Sequence, residues 1–415
     1  MDKNFIQLSA VSMNKKFLSI FAVGLVVYLL TATFSYAVFS FIQPGSSQPT
    51  SATKETTSPT PGKTKRDPNL PRTEECPLNG QMLTKDDRSA WEKRRPMGIM
   101  IENSKVARPQ SGLSSADVIY EAVAEGGITR FLAVFYCQNA ETVGPVRSAR
   151  TYYLDWISEY ANFPLYVHAG GANTPGPANA LGQIQKYGWG YYNDLDQFSI
   201  SFPTFWQDTD RLGKDTAIEH SLYTSTEKLW NYAAQKRKIT NVNTDPDTNK
   251  ETSWDVNFTP WSFKDDLAVA ERPQNFSAEF NFSKTQASYL GDYSVKWQYD
   301  HDSNSFLRFN GGTEHKDMDT NQQILAKNVV ILFTTMTVAD DGYDEPGHGT
   351  HTLYGTIGSG KAKFLIDGAI IDGTWKKKDR TSRTVFTDDK GKPLAFNRGQ
   401  IWVEVLPIGT QVATQ

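Results

Sequence analysis

The chain has 415 residues, of which 39% are hydrophobic and 12% aromatic, and this length with this composition predicts two folded domains. Lysine and arginine together number 43 against 46 acidic residues, which gives a formal net charge of -3. Because the chain has no overall basic field, nucleic acid is not expected as a partner.

The first predicted element is a hydrophobic stretch near the N-terminus. Residues 17–42 are uncharged and mostly apolar, and they outnumber the ~20 residues that cross a bilayer as a helix. Lys15 and Lys16 precede the stretch, so the positive-inside rule places residues 1–16 in the cytoplasm and the rest of the chain outside. A signal peptide cleaved after Ala37 is the alternative, but the length favours an uncleaved, single-pass signal-anchor. Both interpretations make the protein extracytoplasmic, and the uncleaved span makes the membrane a partner.

Residues 43–71 are rich in serine, threonine and proline and contain one large apolar residue, Leu70. Such a segment cannot form a core, so we predict a disordered tether. The two cysteines of the chain, Cys76 and Cys137, follow it. In an exported protein an even number of cysteines favours a disulfide, with two separate thiols as the alternative.

Residues 72–239 alternate between strand and helix patterns, which predicts an α/β domain with a mixed sheet and helices. The polar segment 240–251 is predicted to be a linker, and residues 252–415 to form a mainly β domain. In the first domain the predicted strands are Met97–Ile101, Val118–Ala124, Thr129–Tyr136 and Pro164–His168, and the predicted helices are Thr151–Ala161, Pro177–Lys186 and Ser225–Lys236. In the second, strands are predicted within "SAEFNFSK", "YSVKWQYD", "SFLRFN", "KNVVILFTTMTV", "AKFLID" and "IWVEVLPI".

The segment "DVIYEAVAEGGITRFLAVFYC" is predicted to form a hairpin with its turn at Gly126-Gly127. A two-residue turn would place Glu121 opposite Leu132 and bring Arg130 between Glu121 and Glu125 on one face, with the other face in the core. The hairpin therefore predicts two carboxylates that share one arginine.

The segment "VGPVRSAR" places Arg147 and Arg150 at the predicted start of a helix. Helix starts favour negative groups, so two arginines there call for an anion. Glu121 or Glu125 could supply it, and so could a phosphate or carboxylate of a ligand docked at the helix start.

His168 ends a predicted strand and is followed by Gly170 and Gly171, at the position where open α/β sheets bind ligands. It is a candidate general base, with a hydrogen-bonded loop histidine as the alternative. His220, with Arg211 upstream, is a weaker candidate, because a structural role before the next helix would explain it equally well.

Two further clusters are given the simpler interpretation. Residues 187–206 hold eight aromatic side chains, which could stack on sugars, but a buried irregular core is favoured. The acidic and histidine residues from Asp340 to His351 match no known metal-binding spacing, so a solvated loop is favoured and neither a metal nor a cofactor is predicted.

The order "RPMGIMIENSKVARPQSGLSSADVIYEAVAEGGITRFLAVF", "VGPVRSAR" and "VHAGGA" resembles the YerB-like family of extracytoplasmic bacterial proteins, a domain of unknown function. The resemblance extends through "FWQDTDRLGKDTAIEHSLYTS" to "GQIWVEVLP" and covers roughly residues 93–410. It implies a two-domain α/β arrangement and surface attachment, without a known reaction. Lipoprotein-like members have a lipidated cysteine after the signal, whereas this chain has none before Cys76. Where the family leads us to expect Pro-His-Asn, this chain has Glu219-His220-Ser221, which keeps only the histidine.

No fingerprint of a familiar hydrolase, metalloprotease or nucleotide-binding protein occurs in a suitable context. The sequence therefore favours a membrane-tethered envelope protein that binds an anionic or glycan component of the cell wall. The candidate ligand-binding residues are Arg147, Arg150, Arg130, Glu125, Gly170, Gly171 and Arg211. One alternative is a hydrolase or transferase acting on envelope glycan or phosphate ester, with His168, Glu121 or His220 as acid or base. Another is a protein-interaction module that regulates wall assembly.

Overall fold

The computed structural model describes residues 70–160, 162–213, 216–244, 248–282, 293–345 and 349–415. The predicted anchor at residues 17–42 and all but the last two residues of the predicted tether lie outside these ranges. Within these ranges no helix is both long enough and apolar enough to span a bilayer. By its internal contacts, Pro68–Gln415 forms one compact unit.

Four α-helices occur in the described residues. They are α1 (Lys85–Trp91), α2 (Thr151–Ile157), α3 (Ala180–Lys186) and α4 (Thr226–Lys236), with 3₁₀ turns at Lys105–Ala107, Leu113–Ser115, Ile218–His220 and Val269–Glu271. Helix α4 begins where Ser225 accepts a hydrogen bond from the backbone N–H of Lys228, which is the expected chemistry of an N-cap.

The strands are short and numerous, and most follow residue 240. Those up to that residue are β1 (Glu74–Glu75), β2 (Met82–Leu83), β3 (Met97–Glu102), β4 (Val118–Val123), β5 (Thr129–Phe135), β6 (Leu165–His168), β7 (Asp194–Asp196), β8 (Phe205–Gln207) and β9 (Leu222–Thr224). Those after it are β10 (Val242–Thr244), β11 (Glu251–Ser253), β12 (Ser262–Lys264), β13 (Ser277–Asn281), β14 (Ser294–Asp300), β15 (Ser305–Asn310), β16 (Thr313–Glu314), β17 (Leu325–Ala326), β18 (Asn328–Thr334), β19 (Met336–Val338), β20 (Asp344–Glu345), β21 (Gly349–Thr350), β22 (Thr352–Tyr354), β23 (Gly358–Ile366), β24 (Ala369–Lys377), β25 (Val385–Asp388), β26 (Ala395–Asn397), β27 (Ile401–Pro407) and β28 (Ala413–Thr414). The predicted fold class, a mixed sheet with helices followed by a mainly β region, is therefore confirmed for the described residues.

The central element is a ten-stranded sheet in the order β25-β24-β23-β18-β27-β4-β5-β3-β6-β7. Five of these strands precede the predicted linker and five follow it. The two predicted segments join where β27 lies between β18 and β4 and runs parallel to both. The segments 72–239 and 252–415 thus share one sheet.

Two hydrophobic cores are present, and they lie on the two faces of this sheet. On one face Phe131 and Trp402 pack with Trp297 of a second sheet, β16-β15-β14-β13-β28, and with the apolar side of α4. On the other face Tyr120 packs with Trp156 of α2 and with residues of α1 and α3. Because both faces are covered, the central strands are buried along their whole length.

The predicted hairpin is present, but its register differs by one residue. Gly126 and Gly127 have φ of 59° and 81° and form the turn, a conformation that glycine adopts without a steric cost. The N–H of Ile128 donates to Glu125 O, while the N–H of Ala124 donates to Ile128 O. Two residues thus oppose one, which is a β-bulge.

This bulge places Glu121 opposite Phe131 instead of the predicted Leu132. Arg130 pairs with Ala122, so Glu121 and Arg130 lie on opposite faces of the sheet. The prediction that Arg130 lies between Glu121 and Glu125 is therefore wrong for Glu121. The period of two along a strand makes a one-residue slip equivalent to a change of face.

The predicted disulfide is confirmed. Cys76 and Cys137 are bonded, with their Cα atoms 5.9 Å apart. The bond ties the first short hairpin, β1 with β2, to the residues that follow β5. It closes a loop with a sequence separation of 61 residues.

Candidate functional site

Five charged side chains meet where β3 reaches its carboxyl end. Glu102 is the last residue of β3 and pairs with Arg130 of β5, while Glu125 precedes the hairpin turn. Arg147 and Arg150 belong to the segment between β5 and α2. We call Glu102, Glu125, Arg130, Arg147 and Arg150 the arginine cluster.

The two arginines of "VGPVRSAR" reach the cluster from an extended segment, because α2 begins only at Thr151 and Arg150 has φ -138° and ψ 151°. Val146 forms a bridge with Ile101, and Ala149 forms one with Gly171. Arg150 is the N-cap of α2, but Arg147 lies outside the helix, so the two arginines do not share a helical face. The segment binds the edge of the sheet and directs each arginine to a different carboxylate.

The ion pairs follow from this arrangement. Arg147 Nε lies 3.2 Å from Glu102 Oε2, and Arg130 Nη2 lies 3.1 Å from Glu125 Oε2. Arg150 Nε donates to the other oxygen of Glu125. Glu125 is thus held by two arginines and Glu102 by one.

The neighbouring charges determine the state of both carboxylates. Burial alone would raise the pKa of Glu125, but the charges of Arg130 and Arg150 lower it to about 2. Burial also raises the pKa of Glu102. The hydrogen bond with His220 and the charge of Arg147 outweigh burial and bring this pKa below the ordinary value. Both carboxylates are therefore ionised near neutral pH.

The cluster carries more positive than negative charge, since three guanidinium groups face two carboxylates. Their exposure is unequal: the side chain of Arg147 is 25% exposed, against 13% for Arg130 and 9% for Arg150. Arg147 is therefore the arginine through which the excess charge is open to solvent.

His168 lies nearby at the end of β6, but both of its ring nitrogens have partners. Nε2 lies 2.6 Å from Asp194 Oδ1, and Nδ1 lies 2.7 Å from the carbonyl oxygen of Gly170. Two acceptors require two ring protons. Burial lowers the pKa of His168, but the hydrogen bond and charge of Asp194 outweigh burial and raise it. His168 is fully buried and both of its ring nitrogens are occupied, so its candidacy as a free general base is wrong.

Gly170 and Gly171 follow His168, and each allows a different neighbour to approach the backbone closely. A Cβ on Gly171 would lie 2.9 Å from Leu181 and 3.0 Å from Ala149, so this glycine lets the arginine-bearing segment approach. Gly170 has φ +60°, and a Cβ there would lie 3.0 Å from the ring of Phe198. Phe198 is 78% exposed. The aromatic stretch is thus divided: Trp189 and Phe205 are buried as favoured, whereas the rings of Tyr191, Phe198 and Phe202 are exposed.

Glu121 lies outside the arginine cluster, on the opposite face of the sheet. It is fully buried and binds Arg308, Asn103 and Thr129. With no exposed surface it cannot exchange protons with a ligand at the edge, so its proposed acid or base role is wrong.

His220 joins the cluster and Arg211 does not. His220 Nδ1 lies 2.9 Å from Glu102 Oε2, and its side chain is 18% exposed. Arg211 donates to Ser111 Oγ and pairs with Asp319. Arg211 therefore connects the two segments of the chain, whereas His220 lies beside the arginine cluster with both a carboxylate partner and access to solvent.

Glu102, the residue that connects Arg147 with His220, was not among the site residues predicted from the sequence. Its signal was present in "MGIMIE", where a carboxylate ends an otherwise apolar strand. Arg308, which neutralises Glu121, was also missed, because it is distant in sequence and lies in a strand of the second segment.

Metal ligation finds little support in the described residues. The group whose donor atoms lie close enough is Cys76, Asp117 and Cys137, but its sulfurs are joined in the disulfide. Asp117 accepts hydrogen bonds from the backbone N–H groups of Tyr136 and Cys137 instead. In the acidic segment, Asp341 pairs with His351 at 2.8 Å.

Together these features define a class: a two-segment α/β protein with one shared sheet and an arginine-rich polar cluster at a sheet edge. The model of the N-terminal domain described as "Protein of unknown function (DUF3048)" matches residues 82–240, and that of its C-terminal domain matches residues 285–403. The chain is 30% identical over 315 residues to the Bacillus subtilis (strain 168) protein named "Putative lipoprotein YerB", covering 76% of this chain and 82% of that protein.

A crystal structure of the Bacillus subtilis YerB protein superposes with a TM-score of 0.63 at 25% identity, covering 82% of this chain and 99% of the other. The chain belongs to the YerB-like family of two-part proteins of unknown function. The resemblance seen in the sequence is therefore confirmed.

Proposed function

We propose that the protein is anchored in the cell membrane by residues 17–42, with its bulk outside the cytoplasm, and that the arginine cluster binds an anionic, glycan-bearing component of the envelope. The apolar stretch preceded by Lys15 and Lys16 supports the topology, and the lipoprotein name of the YerB relative supports membrane attachment. Because no cysteine occurs before Cys76, the anchor in this chain would be the span itself.

The observation on which the proposal rests is the excess positive charge of the arginine cluster. A cluster whose role was only to stabilise the fold would gain most from equal charge, because an uncompensated buried charge is costly. Here three arginines face two carboxylates, and the most exposed of the three is paired to a single carboxylate. Guanidinium groups bind phosphate and carboxylate oxygens in pairs of hydrogen bonds. An incoming anion would balance the cluster.

The exposed ring of Phe198 supports the proposal that a sugar lies next to that anion. Its ring lies against Gly170, two residues beyond His168, and most of the ring is in contact with solvent. The carbonyl of Arg147 accepts a hydrogen bond from Ala169, which brings the Arg147 backbone beside the same loop. Exposed aromatic faces are suited to stacking on sugar rings.

The test is cosedimentation of the full-length chain, in a mild nonionic detergent, with purified cell-wall sacculi before and after acid extraction of their phosphate polymers. Arg147→Gln should weaken binding about ten-fold, the loss of one charge-assisted hydrogen bond. Its melting temperature should change by only a few degrees, because partly exposed pairs contribute about 0–1 kcal/mol. Arg88→Gln is the control, since Arg88 of α1 is 57% exposed and pairs with Glu74 of β1. Unchanged binding by Arg147→Gln would refute the site.

A hydrolase or transferase remains the second candidate function, and one observation favours it. His220 is oriented by Glu102 through Nδ1, and its Nε2 is 4.0 Å from Glu219 Oε1. A histidine held by a carboxylate on one nitrogen is the arrangement used for general acid–base catalysis. Release of soluble glycan or phosphate from the sacculi, abolished by His220→Gln without loss of binding, would support it. An interaction module that regulates wall assembly stays a prediction.

A further inference from the structure

A cavity of about 230 Å³ lies at the other end of β3, away from the arginine cluster. Arg95 stands just before that strand, and Trp230 and Glu227 of α4 form the opposite wall. Strand β3 has six residues, so at ~3.3 Å per residue the two sites are separated by roughly 20 Å. The cavity is smaller than the ~300 Å³ typical of sites for drug-sized ligands, which suits a small molecule.

The charge around the cavity is strongly unbalanced. Lys93, Arg94 and Arg95 line it, and Glu227 is the acidic residue among the lining residues. Among the residues that the structure describes, no carboxylate lies within ion-pair distance of any of the three cations. Burial lowers the pKa of both Arg94 and Arg95 to about 10, which leaves them cationic near neutral pH.

Arg95 is held by the protein itself. It is 1% exposed, and its guanidinium donates to the carbonyl oxygens of Thr240 and Val242 and to Asn243 Oδ1 in the segment predicted as a linker. These neutral acceptors orient the group without cancelling its charge. Arg95 therefore supplies a fixed positive field and few free donors.

Arg94 has donors to spare. Its guanidinium carbon lies 3.5 Å from the ring centre of Trp230, and it donates to the Tyr136 carbonyl and to Asn139 Oδ1. Of its five N–H groups, one on each terminal nitrogen remains after these bonds. The Trp230 ring, fixed by its own bond from Nε1 to Arg95 O, holds the guanidinium plane in place.

We infer that this cavity binds the phosphate group of a small molecule, with Arg94 and Lys93 as its direct ligands and Arg95 as the fixed charge behind them. A preorganised guanidinium whose hydrogen bonds go to neutral acceptors is the feature expected of a phosphate site, although the charges of Asp117 and Asp87 also act on Arg94. Exposed Lys93 adds a mobile cation at the rim, and Glu227 opposes binding there. This site does not depend on the arginine cluster.

The experiment is calorimetric titration of the full-length chain in nonionic detergent with inorganic phosphate and with glycerol phosphate, using acetate and chloride at equal ionic strength as comparisons. Lys93→Gln should weaken phosphate binding about ten-fold, since one charged contact is lost. Glu227→Gln should strengthen it two- to three-fold, about 0.4–0.6 kcal/mol. Lys236→Gln, at the far end of α4, should leave it unchanged.

Arg94→Gln should abolish phosphate binding, and Lys93→Gln keeps the proposal testable if that variant does not fold. Arg147→Gln should bind phosphate at this site as the unmodified chain does, which separates the site from the arginine cluster. Acetate or chloride binding as strong as phosphate, or no effect of Lys93→Gln and Glu227→Gln, would overturn the inference.

Discussion

Two groups of arginines and carboxylates in this protein use the same chemistry in different surroundings. In the first, Glu121, Arg308 and Glu404 lie between the two sheets and are all fully buried. In the second, the arginine cluster lies at a sheet edge, and Arg147 is 25% exposed. The first group has an excess of acid and the second an excess of base.

The two groups differ in how their excess charge can be neutralised. Glu404 stands opposite Glu121 on adjacent strands, and burial together with the charge of Glu121 raises its pKa well above the ordinary value. This shift favours a protonated Glu404, which would leave the single charge of Glu121 to face Arg308. The arginine cluster cannot lose its excess charge in this way, because arginine does not lose its proton, and under the proposed function an envelope anion would balance it. Under that proposal, exposure to solvent distinguishes the binding site from the structural group.

The largest expected effect is that of Arg308→Met. This change leaves Glu121 and Glu404 buried without a cation, so the free energy of unfolding should fall by about 3–5 kcal/mol. Urea denaturation at pH 7 is the measurement. Arg88→Met is the matched control, since its exposed pair should contribute about 0–1 kcal/mol. A loss for Arg308→Met no larger than that of the control would remove the distinction between the two groups.

The next effect concerns Glu125 at the edge. Its folded pKa of about 2 lies below the ordinary value of 4.5 for a glutamate carboxyl. Its contribution is thus complete above about pH 4.5 and is lost as the pH falls through about 2. Glu125→Gln should lower the free energy of unfolding by roughly 3 kcal/mol at pH 7.

The pH dependence gives a separate check on Glu125. The Gln variant should lose less stability than the unmodified chain between pH 4.5 and pH 2, as measured by urea denaturation at each pH. Glu92→Gln, at a residue 52% exposed on the surface, should leave the acid profile unchanged. Parallel profiles for the unmodified chain and Glu125→Gln would show that the arginines do not hold Glu125 ionised.

The smallest effect is expected for Glu404→Gln. If Glu404 is protonated in the fold, an amide of the same shape should change the free energy of unfolding by less than about 1 kcal/mol below about pH 4.5, where the unfolded carboxyl is protonated as well. Because the folded pKa is raised, the contribution of Glu404 is present below about pH 4.5 and declines as the pH rises through the folded value. The Gln variant should lack this decline. Glu121→Gln is the comparison, and equal losses for the two variants would mean that Glu404 is charged.

The strands that carry the cluster could be predicted from sequence because their apolar runs are local signals. Predicted Met97–Ile101 and Pro164–His168 differ from β3 and β6 by one residue at one end. The disulfide was also accessible, since the chain has two cysteines and an exported character. These features depend on neighbours in sequence and on composition, which a single sequence contains.

The details of the site depended on interactions that the sequence does not display. The bulge at Ala124 and Glu125 reversed the face of Glu121, although the turn was correctly placed. The bonding of Arg147 and Arg150 to the sheet edge replaced a helical start. Arg308 meets Glu121 across 187 residues. Register, capping and long-range pairing are decided by tertiary packing, so residue types at the site were found more readily than their partners.

The position of β27 has a consequence for the order of folding. A chain is synthesised from its N-terminus, yet residues 401–407 occupy the middle of the sheet, between β18 and β4. Until residues 401–407 emerge from the ribosome, β18 and β4 each have an unpaired edge of the kind that favours aggregation. The earlier segments can form their own hairpins, but the shared sheet closes only after residues 401–407 have been synthesised. A chain that stops before residue 400 lacks the strand that joins its two halves. Such a truncated chain therefore cannot complete the ten-stranded sheet.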